Sequence, residues 1–293
     1  MAYLYLLVAL CGGLSKGYIG RRTSFLIGNF KESVLVNTIR SGITSVIALV
    51  LILVSGNAAG LALPPEQYLS VLISAVCMAT FSIAWIYAYR TEAYLFLNVF
   101  TMLGSILTAA LGFAIYSETV STARLSGMAL LVVATLITSL YNKSLKGKMK
   151  PANLCLLIIG ATGSAIADFS QKVYRNEGGE NPLVFTLYTY FIGFLLQLLF
   201  LAFLPKCQTR NTELWNKKHL LLYFGYGFFL FVNSIGKTAA AGLMPASQMY
   251  PLLQSLNLVL SAVMAAVLMK EKPTKQSLIG ILIALTAIVF MNL

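Results

Sequence analysis

Ten runs of roughly 20 apolar residues follow one another along this chain, and that pattern dictates the fold class, because a helix needs about 20 residues to cross the hydrocarbon core. The cores of the runs lie at 3–20, 34–54, 68–89, 94–116, 123–141, 153–173, 183–204, 220–241, 246–269 and 276–292. They are too long and too free of alternation for the strands of a membrane barrel. The loops between them leave no room for a separate soluble domain. With 58% apolar and only 10% charged residues, the chain predicts an all-α integral membrane protein of ten transmembrane helices. The first run has no basic region before it and no cleavage site, so it predicts a retained span and not a signal peptide.

The formal charge of +12 raises the question of a polyanionic partner, and the distribution answers it. One set of alternate loops carries Arg21, Arg22, Lys31, Arg90, Lys143, Lys146, Lys148, Lys150, Lys206, Arg210, Lys217, Lys218, Lys270, Lys272 and Lys275, whereas the other carries Arg124, Arg175 and Lys172. The excess therefore reports topology and not nucleic acid. By the positive-inside rule the basic loops are cytoplasmic and both termini outside, in a multi-pass protein of the cell membrane. Cys11, Cys77, Cys155 and Cys207 have no paired spacing, and the single His219 stands at a helix start, so no metal site is expected.

The last 48 residues repeat residues 93–140 without a gap at an offset of 153, with nine identical columns. Glu118 falls on Glu271, Leu125 on Leu278, Gly127 on Gly280 and Ala134 on Ala287. The chain divides into five-helix repeats at 1–146 and 150–293, joined by the basic stretch 143–151. Five is odd, so the second repeat must enter the membrane upside down. Inverted repeats give secondary transporters two pseudo-equivalent packings, and hence access to either face.

The stretch MPASQMYPLLQSLNLVLSAVMAAVLMKEKPTKQSLIGILIALTAIVF resembles the EamA-like branch of the drug/metabolite transporter superfamily. The likeness rests on Ala246 and Ser247 opening a helix, Pro251 inside it, Glu271 closing it and Gly280 in the next span. The first repeat keeps Ala93, Glu118 and Gly127, with Asn98 in place of the proline. The family's Trp-Gly-Ser element is reduced to Gly12-Gly13-Leu14-Ser15 and Gly163-Ser164. The resemblance implies ten helices in two inverted repeats and a cargo anywhere from amino acids and sugars to aromatic compounds. It also implies cytoplasmic termini, where the charge count places them outside; we follow the charge count.

An ionisable side chain at bilayer depth is expensive and marks a functional candidate. Lys16, Arg40, Asp168 and Lys237 qualify. Counted at about 1.5 Å per residue, Lys16 and Arg40 lie roughly 10 Å from the basic face, and Asp168 and Lys237 lie nearer the opposite one, which predicts two levels. Lys16 and Asp168 hold nearly equivalent repeat positions, as do Arg40 and Tyr190. The four charges sum to +2, favouring a solute with a carboxylate or phosphate, and Asp168 is the candidate for proton coupling. Trp85, Asn98, Tyr188, Tyr190, Tyr223, Tyr226, Asn233, Gln248, Tyr250 and Gln254 are candidates for the remaining cavity wall. Glu118 and Glu271 are expected to fasten their own hairpins, and Gly127 and Gly280 to be structural. Gly13 with Gly17, and Gly160 with Ser164, have the spacing of close helix contacts.

These readings converge on a secondary transporter of a small anionic or zwitterionic metabolite, such as an amino acid or organic acid, working alone or as a homodimer. No cofactor is expected, and coupling to protons or a counter-substrate stays open. A cationic-compound exporter and a non-transporting membrane subunit are the alternatives. The chain has no nucleotide-binding loop, and its single peripheral histidine argues against an enzyme.

Overall fold

The computed structural model describes residues 1–56, 61–91, 94–118, 121–146, 151–205, 216–268, 270 and 274–292. The helices are α1 (Ala2–Ser24), α2 (Phe30–Val54), α3 (Pro65–Thr91), α4 (Tyr94–Tyr116), α5 (Thr122–Lys146), α6 (Pro151–Asn176), α7 (Pro182–Phe203), α8 (Lys217–Ala241), α9 (Ala246–Val267) and α10 (Lys275–Asn292). Each covers one of the expected spans. Seven, searched over the described residues, are long and apolar enough to cross a bilayer, and α4, α5 and α10 contribute shorter apolar cores. The chain is a multi-pass membrane protein. At the repeat junction α5 continues to Lys146, absorbing the first residues of the expected 143–151 join; residues 147–150 lie outside the described set.

Local chemistry explains the boundaries. Proline opens α3, α6 and α7, where its missing N–H would have no intrahelical partner. Asn29 caps α2 by accepting from the Glu32 amide at 2.9 Å, and the Glu32 carboxylate reaches back to the Gly28 amide and the Asn29 side chain. Its repeat counterpart α7 starts the same way, with Asn181 accepting from the Leu183 amide at 3.0 Å. Asn216 caps α8.

The packing carries the repeat symmetry. α1 lies along α8, and their counterparts α6 and α3 lie along each other. α2, α4 and α5 pack on their own counterparts α7, α9 and α10. Lipid offers helices no hydrophobic drive toward one another, so close approach depends on small residues. A Cβ on Gly12 would come within 2.6 Å of the Asn233 backbone nitrogen, and one on Gly236 within 2.6 Å of the Ala9 nitrogen. The α1–α8 contact is therefore built on Gly12 and Gly236, whereas Gly13 and Gly17, which have the spacing of a close helix contact, line the central cavity. Gly163, the counterpart of Gly12, presses on the Cys77 carbonyl of α3 at 3.0 Å by the same measure. Gly127 on α5 meets the Ala287 carbonyl of α10 at 3.0 Å. Gly280 is buried, and Glu271 lies outside the described residues.

Candidate functional site

A cavity of about 60 Å³ lies at the centre of the bundle, with walls from α1, α2, α3, α4, α6, α8 and α9. It receives Lys16, Arg40 and Lys237 together. The two levels expected from counting along helices thus merge, because Lys237, four residues from the end of α8, reaches the same space as the other two cations. The lining runs from mid-membrane toward the basic-loop ends, where Tyr89 closes α3 and Asn98 opens α4. On the opposite side Leu6, Ala9, Met244, Met249, Tyr250 and Leu253 are buried in one apolar cluster. The lining thus leans toward the basic-loop ends of the helices.

Each cation is held differently. Lys237 donates to both oxygens of Asp168 at 2.8 Å, and both residues are buried. Asp168 sits behind the wall and not in it, so its charge neutralises Lys237 from outside the cavity. Lys16 donates to the Asn233 carbonyl at 3.2 Å, while the Asn233 amide is fixed by the Ala9 carbonyl at 2.6 Å. Lys16 therefore turns inward and does not snorkel toward Arg21 and Arg22. The Arg40 guanidinium carbon lies over the Tyr226 ring, 4.4 Å from its centroid, a cation–π contact between buried residues. Its residue is 3% exposed and its Nε has no hydrogen-bond partner.

Trp85, Asn98 and Gln254 line the cavity as candidates, along with Tyr226 and Asn233. Tyr190, Gln248 and Tyr250 do not. Tyr190 is buried in the central apolar cluster, and the Tyr250 hydroxyl donates to the Asp168 backbone carbonyl, bracing α6. Tyr188 bonds the Leu61 carbonyl at 2.7 Å near the non-basic face, and the Tyr223 hydroxyl is buried elsewhere. Sequence reasoning missed Ser82 and Tyr89 on α3, Thr101 on α4, and Asn257 and Ser261 on α9. Gln254, Asn257 and Ser261 fall at helical spacing on one polar stripe of an otherwise apolar span, and that stripe was the available signal. Phe81 and Trp85, with ring centroids 5.0 Å apart, form the apolar wall.

Glu118 departs from its expected hairpin role. Its carboxylate crosses to the other repeat and accepts from the amides of Ala246 and Ser247 at 2.8 and 2.9 Å, capping α9 on the closed face. Nearby, Lys172 donates to the Ala241 and Met244 carbonyls at 3.0 and 2.9 Å, ending α8. Among the described residues no group of three His, Cys, Asp or Glu could hold a metal.

A helical membrane bundle of two five-helix units around a polar central cavity has the form of a transporter. Residues 151–293, the second repeat, match the model of the EamA-like transporter family, a family of transporters within the drug/metabolite transporter superfamily. The fold of the chain is that of two inverted five-helix repeats. A solved crystal structure described only as that of a protein is similar over 99% of this chain and 95% of its own, with a TM-score of 0.69 at 15% identity, which speaks for the fold alone. No curated protein sequence matches this chain.

Proposed function

We propose that the chain is a secondary transporter that carries a small anionic or zwitterionic metabolite by alternating access around the central cavity. The observation that carries this reading is the charge imbalance. Three cations face one cavity, and among the described residues the one carboxylate near them, Asp168, is committed to Lys237. Lys16 has a neutral amide partner, and Arg40 has an aromatic ring and an unpartnered Nε. Charged groups kept away from water demand a counter-charge, and a carboxylate or phosphate on the solute meets that demand. The Phe81–Trp85 wall then faces its apolar part.

Alternating access draws support from the one-sided seal. In the present state Glu118 and the packed ends of α1, α8 and α9 close the face that bears few charges. Taking the basic loops as cytoplasmic, this is the inward-facing state, with the termini outside and repeats 1–146 and 150–293 rocking about the join. At about 60 Å³ the cavity has room for a charged head group and little more, so loading requires the basic-side ends of the helices to part. With Asp168 held by Lys237, coupling of protons through this carboxylate requires that the pair first separate.

Counterflow in proteoliposomes tests the reading, with amino acids, dicarboxylates and phosphorylated sugars offered in turn. Arg40→Gln and Lys16→Met should each reduce exchange of the preferred anion about 10- to 100-fold, the loss expected for a charge-assisted hydrogen bond of about 1.5–3 kcal/mol. Exchange of a cationic drug with both variants as active as the wild type would refute it.

A further inference from the structure

We propose that the groove between α3, α6 and α7 is a lipid site, taking the chain of a single-chain amphiphile whose neutral head both donates and accepts hydrogen bonds at Gln197. The groove has a volume of about 380 Å³ and is walled by Val76, Ala79, Ile83, Ile159 and Phe200. It opens outward from the bundle, since Val76, Ile159 and Phe200 are 45%, 53% and 42% exposed. It is separate from the central cavity, sharing no lining residue with it.

Its one strongly polar wall residue is Gln197, which is 1% exposed and has neither its amide nitrogen nor its carbonyl oxygen hydrogen-bonded. Gln197 stands six residues before the end of α7, about 9 Å along the helix and so within the hydrocarbon. An unpaired amide there is costly, and no bulk water relieves it. The fold does not need it, because the equivalent position of the other repeat, seven residues after Arg40 as Gln197 is seven after Tyr190, is the apolar Ile47. A trapped water needs two to four polar partners. The only other polar side chain on the wall, Thr80, already donates to the Val76 carbonyl at 2.9 Å. The Gln197 amide is shielded from solvent in this state, and a turn of its side chain into the groove would present an unpaired donor and acceptor, so the matching occupant is an amphiphile with a hydroxyl beside an ester or amide. A diacyl glycerophospholipid, with all three glycerol oxygens esterified, offers at that level only ester acceptors. The inference stands apart from the nature of the transported solute.

Thermal unfolding of the purified full chain in detergent, titrated with 1-monooleoylglycerol or with methyl oleate, tests it. Monooleoylglycerol should raise the wild-type Tm saturably, and methyl oleate, which lacks the hydroxyls, should require about fivefold more for the same shift, the value of one neutral hydrogen bond. Gln197→Leu should fold with an unliganded Tm at or above that of the wild type and should not distinguish the two probes. Ala79→Trp, which fills the groove, should answer to neither, while both variants keep anion exchange. The proposal is overturned if monooleoylglycerol gives no shift, if Gln197→Leu still prefers it, if Ala79→Trp responds like wild type, or if a diacyl phospholipid competes more strongly.

Discussion

Lys16, Arg40, Asp168 and Lys237 were conspicuous in the sequence because charge at bilayer depth is rare, and Asp168 and Lys237 fell at one level, but the convergence of Lys237 with Lys16 and Arg40 was not legible, because one-dimensional depth ignores the reach of a long side chain. Lys237 lies far along α8, yet its ammonium lines the same cavity as Lys16. The bidentate 2.8 Å pair leads to a specific expectation. Asp168→Asn strands a buried ammonium and should destabilise the protein by about 3–5 kcal/mol, whereas Asp168→Leu combined with Lys237→Met should restore most of that loss. Thermal unfolding of the two variants in detergent checks this; equal destabilisation would show that the pair is not the relevant unit. Tyr190, Gln248 and Tyr250 were over-read, since an aromatic or amide on a mostly apolar helix looks the same in sequence whether it faces a cavity or a neighbouring helix. Tyr250 is spent on a backbone carbonyl.

The helices themselves were legible to within about five residues at their ends, since length and hydropathy are local properties and the caps, Asn29 and Asn181, are local too. Which small residue makes a contact is a matter of helix rotation, and spacing alone does not single out Gly12, the residue that presses on the α8 backbone. Gly12→Val should force α1 from α8 and cost about 1–3 kcal/mol or more in stability, read as a lower Tm, while Gly13→Ala, which meets only the side chains of Asn233 and Asn257 at 3.1 Å and beyond, should be better tolerated in stability. Glu118 illustrates the other limit of local reasoning: its position after α4 suggested a hairpin clasp, and its partners lie 128 and 129 residues away. Removing it should loosen the closed face. In a background without the native cysteines, Glu118→Ala should speed modification of Ser247→Cys by a membrane-impermeant reagent added at the sparsely charged face; an unchanged rate would mean that apolar packing alone makes the seal.

Viewed as a whole, the molecule expresses its duplication twice, in the 153-residue offset of the sequence and in helix pairs that map onto each other across the repeats. The central site breaks that symmetry in charge, with three cations on its wall. Single cysteines at Ser82 and Ser261, both on the cavity wall, should be labelled from the side of the basic loops and not from the other, while Leu253→Cys in the sealed cluster should be protected from both. Labelling of all three from the sparsely charged face would invert the assigned direction of access. The central claim, a cavity built for an anion, is tested most directly by thermal stabilisation of the purified protein against amino acids, organic anions, phosphorylated sugars and cationic drugs, with wild type compared to Lys16→Ala and Arg40→Gln. The account predicts a shift with a carboxylate or phosphate compound that both variants lose; stabilisation by cationic drugs alone, or variants that respond like wild type, would contradict it.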